Sequence, residues 1–172
     1  MRFRLATSLL LGAATIAGAR PATAQTAAAG VSTVYHTAHQ YLVAAADQVA
    51  EADYGYAPTT GVRTFGQLFA HVANSNYMIC AMAMGEKSPS STDFEKVSAK
   101  ADIVAGLKAS FDYCTKAFAM SDAKALEPVD LFGMKTNRVG ALAFNAGHDM
   151  EHYGNVVTYM RMKGMTPPSS RQ

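Results

Sequence analysis

Beyond its first two dozen residues the chain has no uniformly apolar run, and a bilayer span needs about 20 such residues, so no membrane helix is expected in its body. A basic stripe is missing too. The 172 residues carry 15 Lys and Arg against 13 Asp and Glu, but Arg2, Arg4 and Arg20 all lie near the start. Without those three, 12 basic residues face 13 acidic ones, a formal charge of −1, and nucleic acid is not an expected partner. Internal repeats and low-complexity tracts are absent, which excludes a solenoid and leaves one domain with a real core. Strand-like alternation is almost absent, which excludes a β-rich architecture. Cysteine is scarce. Cys80 and Cys114 permit one disulfide or two buried thiols, and both readings stay open, because a core of this size does not need a bridge.

The start of the chain is a different kind of segment. Met1-Arg2-Phe3-Arg4 is a basic n-region, Leu5 to Ala19 an apolar h-region, and Ala22-Thr23-Ala24 an A-x-A cleavage site before Gln25. Residues 1–24 therefore read as a cleaved secretory signal peptide. Arg2 and Arg4 are not adjacent, so twin-arginine export is not indicated. Residues 25–172 are expected to form an exported, periplasmic domain that leaves the membrane once the leader is cut.

Four segments carry helical periodicity. From Val31 to about Glu51, apolar residues recur every three or four positions (Val31, Tyr35, Ala38, Leu42, Ala45, Val49) until Gly55 and Pro58 end the pattern. The second segment opens at Thr64-Phe65-Gly66-Gln67, a capping-box pattern, runs through Leu68, Phe69, Val72, Ile79 and Met82, and closes at Gly85. Residues 85–100 are a long polar connection with room for a short turn after Thr92. Ile103, Leu107, Phe111, Cys114 and Phe118 mark the third helix. Leu126 to Gly133 reads as an extended loop. The fourth helix runs from about Thr136 to Lys163 and stops at Gly164, with Pro167-Pro168 beyond. The expected fold is an all-α four-helix bundle. A link of about sixteen residues can carry the chain the length of a bundle, so the second and third helices can run parallel, which would put Cys80 and Cys114 at similar depths.

Chemistry concentrates in His148-Asp149-Met150-Glu151-His152. Residues four apart on a helix share a face, about 6 Å apart along the axis, which suits two ligands of one ion. Ala141, Asn145, Asn155 and Tyr159 share that face as a polar strip beside the apolar one. His71, at the edge of the second helix's apolar face, is the candidate third ligand. A His₃ set with an open fourth position is the catalytic pattern for zinc. The bland reading is a solvated histidine pair and a hydrogen-bonded core histidine. H-x-x-E-H is also an inverzincin signature, but that family takes a further Glu ligand downstream, and the twenty residues after His152 contain no acid. Glu151 is kept as a candidate general base or hydrogen-bond acceptor for a ligand, against a solvated surface carboxylate. Asn74 could orient His71. His36 and His39 read as structural. The scattered methionines read as core filling rather than soft-metal ligands.

Thr64-Phe65-Gly66-Gln67-Leu68-Phe69-Ala70-His71-Val72, the H-x-x-x-H-x-G pattern ending at Gly154, and the Gly164-x-x-Pro167-Pro168 exit together resemble the DinB-like superfamily, over residues 31 to 170. The resemblance implies a bundle of up-down-down-up topology with a three-histidine divalent-metal site, here His71, His148 and His152. The chain departs from the common pattern in Asn155, where Gln is frequent, and in Glu151. Imidazole ligands suit zinc, nickel, iron and copper, with zinc the first choice. The implied activity is metal-dependent hydrolysis or transfer on a small molecule, with water favoured over a thiol outside the cytoplasm. The 126–133 loop and the loop after Glu51, with Tyr54 and Tyr56, are candidate rims. A non-catalytic metal-carrying bundle is the alternative, and a homodimer paired through exposed helix faces is a further reading.

Overall fold

The computed structural model describes residues 26–171. The leader expected at 1–24 lies outside the described residues. Four long helices dominate: α1 (Ala27–Gln48), α2 (Phe65–Met84), α3 (Lys100–Phe118) and, after the single turn α4 (Asp122–Ala125), α5 (Arg138–Met162). Among the described residues no helix is long and apolar enough to cross a membrane.

Local chemistry sets the helix ends. Thr64 and Gln67 form the expected capping box, the Thr64 hydroxyl accepting from the Gln67 amide and the Gln67 side chain accepting from the Thr64 amide. Gly85 closes α2 in the left-handed region (φ 73°), where its amide returns to the Ala81 and Met82 carbonyls. α1 stops at Gln48, short of the expected Glu51. Val49 is extended there, and Glu51–Asp53 forms a separate 3₁₀ turn.

Pairings along the helices give their directions. Asn76 meets Ser110 and Cys80 is bridged to Cys114, both at an offset of 34 residues, so α2 and α3 run parallel. The bridged Cα atoms are 5.4 Å apart. Against α5 the order reverses: His71 faces His148, Asn76 faces Asn145, and the Ala83 carbonyl accepts from Arg138. Tyr41 with Tyr153 and Gln48 with Thr166 show α1 parallel to α5. The topology is up-down-down-up. Between the helices lies one core in which Tyr35, Leu42, Phe65, Phe69, Ile79, Leu107, Phe111 and Met160 are buried, each apolar side chain of this size contributing about 1.5–3 kcal/mol.

Two connections differ from expectation. The segment read as an extended loop is half of an antiparallel hairpin, β1 (Pro128–Leu131) with β2 (Met134–Asn137), which delays the start of α5 to Arg138. Its two-residue turn is Phe132-Gly133, both at positive φ (54° and 85°). The long crossover contains a 3₁₀ turn at Phe94–Lys96, where room for a short turn was expected. Phe94 packs over Gly106 of α3, where an added Cβ would lie 2.1 Å from the ring.

Candidate metal centre

His71 lies two turns into α2, at a position set by the Thr64 cap, and His148 and His152 lie on the α5 face turned toward it. His152 is buried and the other two are partly so. The Nε2 atoms converge: His71 to His148 is 3.2 Å and His148 to His152 is 3.1 Å. One ligand nitrogen from each ring lies within 4.8 Å of the others. Nitrogens about 2.05 Å from a tetrahedral centre stand roughly 3.3 Å apart, so the two Nε2 spacings are compatible with ligands of one ion.

The protons point the same way. The Nδ1 of His71 is 2.8 Å from Glu95 Oε1, a contact that wants a proton on Nδ1 and leaves the Nε2 lone pair aimed inward. His148 Nε2 has a ring nitrogen on each side, and a single N–H can serve only one of them. A cation at the centre accepts all three lone pairs at once. Burial, reinforced by the neighbouring His152 and His71 rings, pulls the His148 imidazole down to about 4. Burial also lowers His152, with His71 the next cause. Both rings therefore stay neutral, as ligands must. His148 Nδ1 is buried and, among the described residues, has no hydrogen-bond partner.

Glu95 arrives from the crossover and links two groups. One oxygen meets His71 and the other accepts from Arg63 Nε at 3.0 Å. Burial works to raise its carboxyl, but Arg63 and His71 outweigh that and hold it below the usual range. Asn74, which from its position could orient His71, acts at one remove. Its amide donates to Asp93 and its oxygen accepts from the Phe94 amide, fixing the turn that carries Glu95. Glu151 is exposed and makes no side-chain hydrogen bond to the three histidines. His39 stacks on Phe111 with ring centroids 4.5 Å apart, away from the cluster.

The strip read as polar and beside the apolar face is buried except at Asn155, which is exposed. Ala141 and Asn145 are fully enclosed and Tyr159 nearly so. Asn145 donates to Asn76, whose amide donates to Ser110, making a polar seam through the core from α5 to α3. Asp149, beside His148, is also fully buried, and burial pushes its carboxyl well above the usual range. Sequence reasoning missed Glu95, Arg63 and Asp149. Only the apolar Phe94 between Asp93 and Glu95 hinted that this part of the polar crossover docks.

A cleft of about 560 Å³ opens at His152, lined by Arg63, Gln67, Glu95, Asn155 and Tyr159 among others. The loop after Glu51 does supply part of its rim, but through Gly61 to Arg63. Tyr54 is instead a core residue whose hydroxyl donates to the Ala46 carbonyl, and Tyr56 packs against Phe65 and Tyr159.

Fold and cluster together define a class: an all-α four-helix bundle with three histidines able to hold a divalent metal ion between two helices. The chain belongs to the DinB superfamily, whose family model matches residues 35–156. A DinB-like protein from Bacillus cereus superposes with a TM-score of 0.69 at 17% identity, covering 81% of this chain and 94% of that one. A DinB-like protein from Bacillus subtilis gives a TM-score of 0.58 at 20% identity, covering 83% and 98%. At such identities the likeness is one of fold. No curated protein matches the chain.

Proposed function

We propose that this chain is a divalent-metal-dependent hydrolase or transferase acting on a small molecule, with His71, His148 and His152 as ligands. The observation that carries the reading is the convergence of three Nε2 lone pairs at 3.1 and 3.2 Å between α2 and α5. Zinc is the first choice of ion, and nickel, iron and copper also suit three imidazoles. When bound, such an ion acts as a Lewis acid and lowers the pKa of a water or thiol in its open position. Glu95 holds the His71 ring in one tautomer, and the cleft beside His152 offers the access that a coordinatively closed, purely structural site would not need. Its volume suits a small molecule rather than a polymer.

Export belongs to the same proposal. The Cys80–Cys114 bridge supports it, since disulfides persist in oxidising compartments. Water is then the more available nucleophile, because low-molecular-weight thiols are chiefly cytoplasmic reductants. Elemental analysis of protein purified from the periplasm should find about one divalent ion per chain, lost in both His71→Ala and His148→Ala. Stoichiometric metal retained by both variants would refute the ligand set, and an intact leader ahead of Gln25 in the mass spectrum would refute export.

A further inference from the structure

Arg63 stands on the wall of the cleft with a part of its donor capacity unused. Its backbone carbonyl accepts from the Tyr159 hydroxyl at 3.0 Å, and its Nε donates to Glu95 at 3.0 Å. Glu95 in turn meets His71, so two hydrogen bonds fix the guanidinium relative to a proposed ligand ring. Among the described residues, Nη1 and Nη2 make no hydrogen bond, and the side chain is 40% exposed. Among the described residues, the only carboxylate lining the cleft is Glu95, and both of its oxygens are engaged. The neutral polar groups beside it belong to Gln67, Asn155 and Tyr159.

We propose that Arg63 binds a carboxylate on the substrate, so that the protein acts on small carboxylic acids whose reacting group reaches the histidine cluster. The inference rests on the metal reading above. A planar guanidinium fork matches a carboxylate with two parallel hydrogen bonds, which an ammonium would not do. Glu95 already offsets part of the Arg63 charge, and that favours a monoanion over a doubly charged phosphate. A plainer role exists, in which Arg63 only steadies Glu95. That role would change metal affinity and leave discrimination between charged and neutral ligands untouched.

The test is a chemical cycle on the cobalt(II)-loaded protein. Mercaptocarboxylates from 3-mercaptopropionate to 6-mercaptohexanoate, each beside its methyl ester, are titrated while the thiolate-to-cobalt absorption band is followed. At the best chain length the acid should bind about tenfold more tightly than its ester, the scale of a charge-assisted hydrogen-bonded pair. In Arg63→Gln, saturated with cobalt, that ratio should fall to about one, and Arg63→Lys should restore part of it. An acid-to-ester ratio unchanged in Arg63→Gln would overturn the proposal, as would a wild-type ratio of one. Absence of any cobalt spectrum in the wild type would remove the metal reading itself, a result distinct from cobalt binding without discrimination.

Discussion

The His148 imidazole titrates at about 4 because folding takes it out of water and sets His152 and His71 beside it, whereas an unfolded histidine titrates near 6.5. Below pH 6.5 the unfolded chain therefore takes up a proton that the folded chain refuses until about pH 4. Stability is whole above pH 6.5 and is lost as the pH falls through this window, by about 1–2 kcal/mol from His148 once solvent screening of its partly exposed ring is allowed for. His152 shifts in the same direction and adds to the loss. Urea unfolding of chelator-treated protein at pH 7.5 and 4.5 should show the drop, and His148→Gln should show a smaller one. An equal pH dependence in both proteins would contradict the assigned environment. The same depression keeps the imidazole neutral at neutral pH, with one ring nitrogen free of a proton, so the ring that folding penalises in acid is the one kept ready for a cation. The histidine pair could be read from its spacing. Its neighbour Asp149 could not, because a carboxylate next to a histidine on an amphipathic helix is ordinarily solvated, and only the packing of α5 against the core buries this one.

The second element of interest is the crossover turn at Phe94–Lys96, because it supplies Glu95 although the sequence there reads as a polar link. Phe94 anchors the turn by packing its ring over Gly106 of α3 and stacking with Tyr77 of α2, at a centroid distance of 6.1 Å. Gly106 is required by that close approach rather than by its backbone. Gly106→Ala would place a Cβ 2.1 Å from the ring and force Phe94 aside, costing about 1–3 kcal/mol. Displacing Phe94 moves Glu95, so metal affinity should also fall, by about 10- to 100-fold if the His71 contact is lost. Thermal unfolding and a competitive metal titration check the two parts, and an alanine variant matching the wild type in both would show that the turn does not position Glu95. Elements governed by local chemistry were legible in advance: the Thr64–Gln67 cap, the Gly85 stop and the Gly164 exit all act within a few residues. The hairpin was not, since its turn puts Phe132 in a left-handed conformation usually taken by Asn or Gly, and Gly133 alone, without such a partner before it, reads equally well as a loop. Glu95 was hidden for a different reason: it is 24 residues from His71, and only tertiary packing joins them.

At the scale of the whole molecule, the parallel α2–α3 pair requires a long crossover, and the disulfide and the Glu95 turn are two separate uses of that arrangement. The bridge ties α2 to α3 toward their C-terminal ends, closing a loop with a sequence separation of 34 residues. Cys80 lies nine residues along α2 from His71, about 13 Å at 1.5 Å per residue. Loop-closure entropy for a link of this span corresponds to about 3–4 kcal/mol of stability. Stability and site assembly should then separate on reduction. With a thiol reductant present, the unfolding free energy should drop by about 3–4 kcal/mol, while metal affinity of the still-folded protein changes less than twofold. The ligands keep their places because α2 and α5 are held at the cluster by side chains on either side of it: the Tyr159 hydroxyl on the Arg63 carbonyl at one end, and the Arg138 guanidinium on the Ala83 carbonyl at the other. If metal affinity instead fell in step with stability, the bridge would be part of what aligns the histidines, and the two-helix account of the site would have to be widened to α3.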